Sequence, residues 1–210
     1  FAIHGDSRQR LLLLHDRKTG DPFPKVSDEV VDYIRRHEPR LMARTDLHST
    51  DRPWRVFRTG SIRPNYRVIW RDIATQLEAA VLEPGESAVP LNSCYYVEAA
   101  DATEAYLVAA IANSTWARAF AASYAEPAMN GHYRFMAWVF GMLPWPKHLR
   151  PESRIARRLV GLARRAQATG TLTSPTRDEI DRLLAVAYGL EVSQQTVLRR
   201  LADELSGGAS

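Results

Sequence analysis

The sequence predicts an α+β fold: a mixed β-sheet body with flanking helices, followed by a C-terminal helical subdomain. Three observations predict it. Runs rich in tyrosine, valine and isoleucine, Tyr66–Ile73 and Val89–Ala99, suit a pleated, half-buried surface. Helix-start signals such as Asp101-x-x-Glu104 precede stretches whose apolar residues recur at helical spacing. After Pro151 the strand-like runs stop and helical periodicity takes over. The expected division is a body over 1–150, a helical segment over 151–205 and a disordered tail over 206–210.

The elements follow in order. Four successive leucines in Gln9–His15 read as a buried strand, and Asp16–Pro24 as a turn-rich loop. Ser27 is placed to cap a helix opening with Asp28 and Glu29, whose charges suit the positive end of the helix dipole. Val30, Val31 and Ile34 give it an apolar side. Pro39 is expected to break or restart it, with Leu41 and Met42 continuing the apolar face. Tyr66–Ile73 is a strand, Leu77–Leu82 a second and Val89–Ala99 a third. A helix follows from Asp101 to about Tyr124, its face made by Leu107, Val108, Ile111 and Trp116. Pro127–Gly131 is a loop, and Tyr133–Met142 is aromatic and β-prone.

Beyond Pro151, Ile155, Leu159, Leu162 and Ala166 share one helix side, and arginines from Arg154 to Arg165 fill the other. Thr176-x-x-Glu179 reads as another capping box, with Ile180, Leu183, Leu184 and Ala187 behind it. A last helix is expected from about Gln194 to Leu205, capped by Ser193.

Composition bounds the function. Hydrophobic residues are 45% and charged residues 25% of the 210, an ordinary globular balance. The chain begins at Phe1, shows no signal-peptide pattern and has no apolar run near the roughly 20 residues of a membrane helix. It reads as a soluble, cytoplasmic piece of a longer chain. Cys94, in the apolar run Cys94–Val97, is the single cysteine; it reads as a small buried hydrophobe and excludes an intrachain disulfide or a thiolate zinc site. Net charge is +4, and 25 of the 28 basic residues are arginine. Arginine donates in pairs to phosphates and to guanine edges, although a GC-rich genome also favours its codons.

Catalytic signatures are missing. There is no Glu-x-Lys, no Gly-Lys-Ser/Thr phosphate loop, no Gly-rich turn for a dinucleotide and no Asn/Asp-Pro-Pro-Tyr/Phe turn. The six histidines are scattered, so neither a metal site nor a catalytic site is expected.

Two segments are candidates for contact with DNA. In the first, arginines interleave with aromatics, and Arg52, Arg55, Arg58, Arg63, Asn65 and Arg67 are the candidate contacts. Arg63 and Asn65 flank Pro64 in an expected loop, where Arg can pair with guanine and Asn with adenine; the competing reading is a solvated strand face. The second is Asn130, Gly131, His132, Tyr133 and Arg134, in which Gly131 permits a tight turn. The arginine stripe Arg154–Arg165 either tracks phosphates or is a solvated helix side.

Four stretches then stand together in order: Asn92–Val97, Tyr106–Ser114, Leu143–Pro146, and Asp178–Leu190 with its Ala187-Tyr188-Gly189-Leu190 end. Together they resemble the TaqI-like C-terminal specificity domain of adenine-specific DNA methyltransferases and fused restriction-modification enzymes. The resemblance spans about residues 10–200. Ala112 stands where that pattern has leucine and Trp145 where it has isoleucine, both apolar changes. It implies a non-catalytic target-recognition module that holds double-stranded DNA for an upstream methyltransferase domain of the same parent chain. S-adenosylmethionine would serve that parent, and this chain would carry no cofactor. Most of the motif residues are expected to be scaffold, with Asn113 closing a helix and Gly189 in a left-handed position after one. The other expectation is a protein-interaction or scaffolding module of a phage-defence system, docking through the apolar faces of the C-terminal helices.

Overall fold

The architecture comes from a computed structural model, which describes residues 11–45, 51–55, 63–86 and 88–207. Among these are seven α-helices and two three-stranded antiparallel sheets, an α+β fold. The chain divides into two compact units. The larger contains Asn65–Ala88 and Ser93–Ser210; the smaller contains Gly5–Pro64 and Val89–Asn92.

In the larger unit, β1 (Tyr66–Arg71) lies between β3 (Ala79–Leu82) and β4 (Cys94–Ala99). Its residues pair in register, Val68 opposite Val81 and Val97, and Trp70 opposite Ala79 and Tyr95. All four residues of β3 are buried, which fits their apolar character. The far edge of β3 meets two side-chain amides. Asn113 Oδ1 accepts from Ala79 N (3.1 Å) and its Nδ2 donates to Ala79 O (2.7 Å). Gln167 repeats the arrangement one pleat along, accepting from Val81 N (2.7 Å) and donating to Val81 O (2.8 Å). The edge groups are thereby satisfied and closed to strand addition.

α2 (Ala102–Ala112) starts as its sequence predicts. Asp101 Oδ1 accepts from Glu104 N (2.9 Å), and Glu104 reaches back to Ala100 N (2.6 Å). The helix is buried nearly all round, not along one stripe. It ends at Asn113, and α3 (Thr115–Tyr124) starts afresh from Ser114, so the single helix expected to Tyr124 is two. Both junction residues bond backbone: Asn113 to Ala109 O and to β3, and Ser114 Oγ to Ile111 O and from Ala117 N.

α5 (Arg154–Thr169) and α6 (Ser174–Tyr188) pack with α2 and β1 around one core containing Leu159, Leu162, Ile180 and Leu184. Each ends at a glycine with φ 69°, Gly170 and Gly189, where the left-handed turn satisfies the last carbonyls. α6 is capped by Thr173, not Thr176, which sits inside the first turn; Glu179 instead pairs with Arg158 (2.7 Å). α7 (Val192–Gly207) begins before Ser193, and Gln194 Oε1 accepts from Glu191 N there (2.9 Å), replacing the expected serine cap. Of the tail expected over 206–210, positions 208–210 lie outside the described residues.

Tyr133–Met142 is not one strand. Only β6 (Tyr133–Arg134) is extended, and α4 (Ala137–Gly141) follows. Its aromatics serve packing: Phe140 stacks on Trp70 at 3.8 Å between ring centroids and 9° between planes, and Phe135 O accepts from Trp70 Nε1 (2.7 Å). The stretches Leu143–Pro146 and Asp178–Leu190 meet where the Tyr188 hydroxyl donates to Pro144 O (2.6 Å). Burial pushes that hydroxyl up to about 12. β4 begins only at Cys94, whose thiol is half-buried rather than buried.

In the smaller unit, α1 (Asp28–Met42) runs through Pro39 without a break, and Ile34 alone on it is buried. Ser27 stands at its N-cap position without a cap bond; it hydrogen-bonds the Glu29 carboxyl, which is held low by this contact. The expected leucine strand is absent. His15 makes one bridge to Pro22; Leu14 is buried, whereas Leu11 and Leu12 are exposed and pair with no strand among the described residues. Asp16 organises the following turn by accepting from Lys18 N (2.6 Å) and Thr19 N (3.2 Å). Gln9 and Arg10 of that expected strand lie outside the described residues.

Candidate nucleic-acid interface

A short hairpin of the larger unit gathers four of the candidates. α3 ends at Tyr124, and β5 (Glu126–Pro127) pairs with β6, which also pairs with β2 (Ile73–Ala74). The turn between β5 and β6 is made by Asn130 (φ 58°, ψ 42°) and Gly131 (φ 69°). Two left-handed residues in succession, as Asn-Gly, are what a tight hairpin of this twist requires. His132 N donates to Met129 O (3.3 Å), and Ala128 N to His132 O (2.7 Å).

The turn holds side chains outward. Met129 is 83% exposed and Asn130 is exposed. His132 is half-buried, its Nδ1 3.0 Å from Asn130 O. Tyr133 leans against Phe135, and Arg134 Nη2 pairs with Asp72 Oδ2 at 3.0 Å. Asp72 is itself fixed, donating through its N to Ser93 O (3.0 Å) and accepting at its carbonyl from Phe135 N (2.6 Å). The Asp72 hydrogen bond and charge raise the Arg134 pKa, so this guanidinium stays charged in a set orientation. Beside the hairpin is a half-open cavity of about 340 Å³, lined by Trp70, Arg71, Ile73, Thr75, Cys94 and His132 among others.

The other candidates are placed differently. Arg67 is 2% exposed on β1, between Leu82 and Glu98 in register, so it cannot reach a duplex; the expectation of DNA contact there is corrected. β1 is covered on both faces here: Arg67 is buried on the face opposite Val68 and Trp70. Asn65 donates to Glu98 Oε2 (3.2 Å), tying the start of β1 to β4. In the smaller unit, Arg52 Nη1 and Trp54 Nε1 both donate to Phe23 O, with the Arg52 guanidinium 6.0 Å from the Trp54 ring. Arg55 pairs with Asp51, and its carbonyl accepts from Arg44 Nη1 (3.2 Å). These contacts hold a loop in shape. Arg63 is exposed and has no hydrogen bond or ion pair among the described residues. Arg58 lies outside the described residues.

On α5, Arg158 is committed to Glu179, whose carboxyl it holds low, and Arg164 lies 4.9 Å from the Tyr106 ring. Arg154 and Arg157 are exposed and line a groove with Arg182. Arg71 closes the arginine-aromatic segment Arg52–Arg71 but was not among the individual contacts expected in it. It ends β1 exposed beside His132, and its place in the alternating arginine-aromatic run was the available signal.

Among the described residues no group of three or more His, Cys, Asp or Glu is arranged to hold a metal ion, and no helix is long and apolar enough to cross a membrane. No protein-family model matches this sequence, and no curated protein matches it.

Proposed function

We propose that this chain is a sequence-specific DNA-recognition module of an adenine-specific DNA methyltransferase or restriction-modification enzyme. In this reading it is cytoplasmic and non-catalytic, and it positions duplex DNA for an S-adenosylmethionine-dependent domain elsewhere in the parent chain. The observation that carries it is the β5–β6 hairpin, with its Asn130-Gly131 turn and Arg134 oriented by Asp72. A two-stranded ribbon fits the major groove, roughly 12 Å wide, and Asn and Arg are the residues that make paired hydrogen bonds to adenine and guanine edges. Arg71 beside the hairpin would serve phosphates, which fix position without reading sequence, and exposed Arg63 in the smaller unit would pair with a guanine edge. A chain with net charge +4 and 25 arginines supplies the nonspecific attraction such a module needs.

The test is binding to a pool of short random duplexes at low and moderate salt, followed by selection of the bound sequences. The reading expects binding that weakens steeply with salt and a selected sequence whose preference weakens in Asn130→Ala and Arg134→Ala. Absence of binding at low salt, together with self-association or capture of a protein partner, would favour the scaffolding role.

A further inference from the structure

Arginines paired with acids in the described chain include Arg35, Arg55, Arg134, Arg158 and Arg200. Arg118 on α3 and Arg177 on α6 differ. Both line a cavity of about 290 Å³ in the larger unit, together with Thr75, Gln76, Thr115 and Asp203. Arg118 Nη2 and Arg177 Nε are buried and have no hydrogen-bond partner. Neither side chain has an ion-pair partner among the described residues.

The two guanidiniums act on each other. Burial, and then the charge of Arg177, pull the Arg118 pKa down to about 10, while Glu78 and Asp181 act the opposite way. Those two acids already have donors: Gln76 Nε2 reaches Glu78 (2.8 Å), and Thr115 N reaches Asp181 Oδ1 (2.8 Å). Asp203, the acid that lines the cavity, is exposed on α7. Two like charges with unfilled donors in one recess are costly unless something negative sits between them.

We propose that this cavity binds a phosphoryl group, with Arg118 and Arg177 donating to its oxygens from two helices and Thr115 and Gln76 as neutral neighbours. A phosphoryl oxygen set can accept from both guanidiniums at once, and its charge of up to two matches theirs. The recess has room for atoms beyond the phosphoryl group itself. A free phosphate compound and a nucleic-acid backbone offer the same chemistry. Neither arginine belongs to the β5–β6 hairpin, although Thr75 and Gln76 line both this recess and the cavity beside the hairpin; the proposal does not depend on the recognition reading.

The experiment is thermal denaturation of the full chain in inorganic phosphate against chloride at equal ionic strength. It compares wild type, Arg118→Gln, Arg177→Gln and, as a control on α1, Arg35→Gln. A ligand that binds the folded state alone raises Tm with its concentration. The wild type and Arg35→Gln are expected to gain Tm in phosphate. Arg118→Gln and Arg177→Gln are expected to weaken that response about tenfold or more, since each removes charge-assisted donors. In chloride their Tm should equal or exceed wild type, because the repulsion is relieved. Should Arg118→Gln fold poorly, Arg177→Gln and Arg118→Lys decide: the lysine keeps the charge but not the fork, and is expected to give an intermediate response. Duplex binding by the same variants separates the sources. A parallel loss assigns the site to backbone phosphate, and unchanged duplex binding assigns it to a free phosphate compound. No phosphate response in the wild type, or an equal response in all variants, overturns the proposal.

Discussion

Asn113→Ala should cost this fold more than any exposed substitution, and the amount follows from the atoms left behind. The carboxamide is 2% exposed and makes a two-way pair with Ala79 on the edge of β3, plus a bond to Ala109 O. Alanine removes all three and leaves Ala79 N–H and C=O buried without partners. Each such orphan costs ~1–3 kcal/mol, so the loss should be about 3 kcal/mol after local relaxation. In a chain of this size that is a fall in Tm of roughly 6–12 °C. Gln167→Ala breaks the equivalent pair at Val81, where the site is only part-buried and water can substitute, so about 1 kcal/mol is expected. Asn113→Asp sharpens the test. It keeps an acceptor for Ala79 N but turns a carboxylate oxygen toward two carbonyls, so it should be destabilised at neutral pH and partly rescued on acidification, when the carboxyl can donate. Chemical denaturation of the four proteins measures all of this. A loss below about 1 kcal/mol in Asn113→Ala, with no pH rescue in Asn113→Asp, would refute the edge-capping argument.

Further outcomes are specific. Asp181 is buried, and its pKa is raised chiefly by burial, against the Thr115 hydrogen bonds and Arg199 and Arg177. A carboxyl whose folded pKa lies above its unfolded value, about 3.9, lends its full stability below that pH and loses it as pH rises through the folded pKa. Asp181→Asn should therefore flatten the decline of stability above about pH 4 relative to wild type, read as a difference in denaturation free energy across pH; parallel profiles would contradict it. Gly189→Ala meets open space, so its cost is the left-handed backbone alone, about 1 kcal/mol by denaturation. A cost near zero would mean the α6 end shifts freely. Arg134→Ala or Arg63→Ala should weaken binding to the selected sequence more than to random DNA, Arg134→Ala by ~1–3 kcal/mol. Equal losses on both would deny either residue a base-reading role. Arg67→Ala should lower stability without changing the salt dependence of binding, because its side chain lies inside.

Much of the larger unit was legible because its signals are local. The strands β1 and β4 were marked by β-branched and aromatic runs, β3 fell within the expected strand Leu77–Leu82, α2 was marked by its Asp101–Glu104 cap, and α5 and α6 by apolar spacing. The left-handed glycine after Tyr188 followed from helix-end chemistry. The tight turn at Gly131 was visible too, though not that Asn130 shares its left-handed backbone. What escaped was decided by partners distant in sequence. The helix end at Asn113, expected from the motif though not from the apolar spacing that ran on to Tyr124, is held by a β-strand edge 34 residues earlier that accepts its amide. Aromatics of 133–142 resembled a strand because stacking on Trp70 selects the same residue types as a sheet. Leucines at 11–14 form no strand because period and composition cannot supply a neighbour to pair with. Within the candidate site, the hairpin residues were recognisable, whereas burial on both faces of β1 enclosed Arg67 and loop contacts engaged Arg52 and Arg55. The Arg118–Arg177 pair has no linear signature, since its members sit on separate helices.

The central claim is tested most directly by fluorescence anisotropy of the intact chain with labelled random duplexes across a salt series. The account predicts binding whose logarithmic affinity falls linearly with the logarithm of salt, as counterion release requires, and a preferred sequence that Arg134→Ala relaxes. Binding absent at low salt, or insensitive to salt and to Arg134, would contradict it.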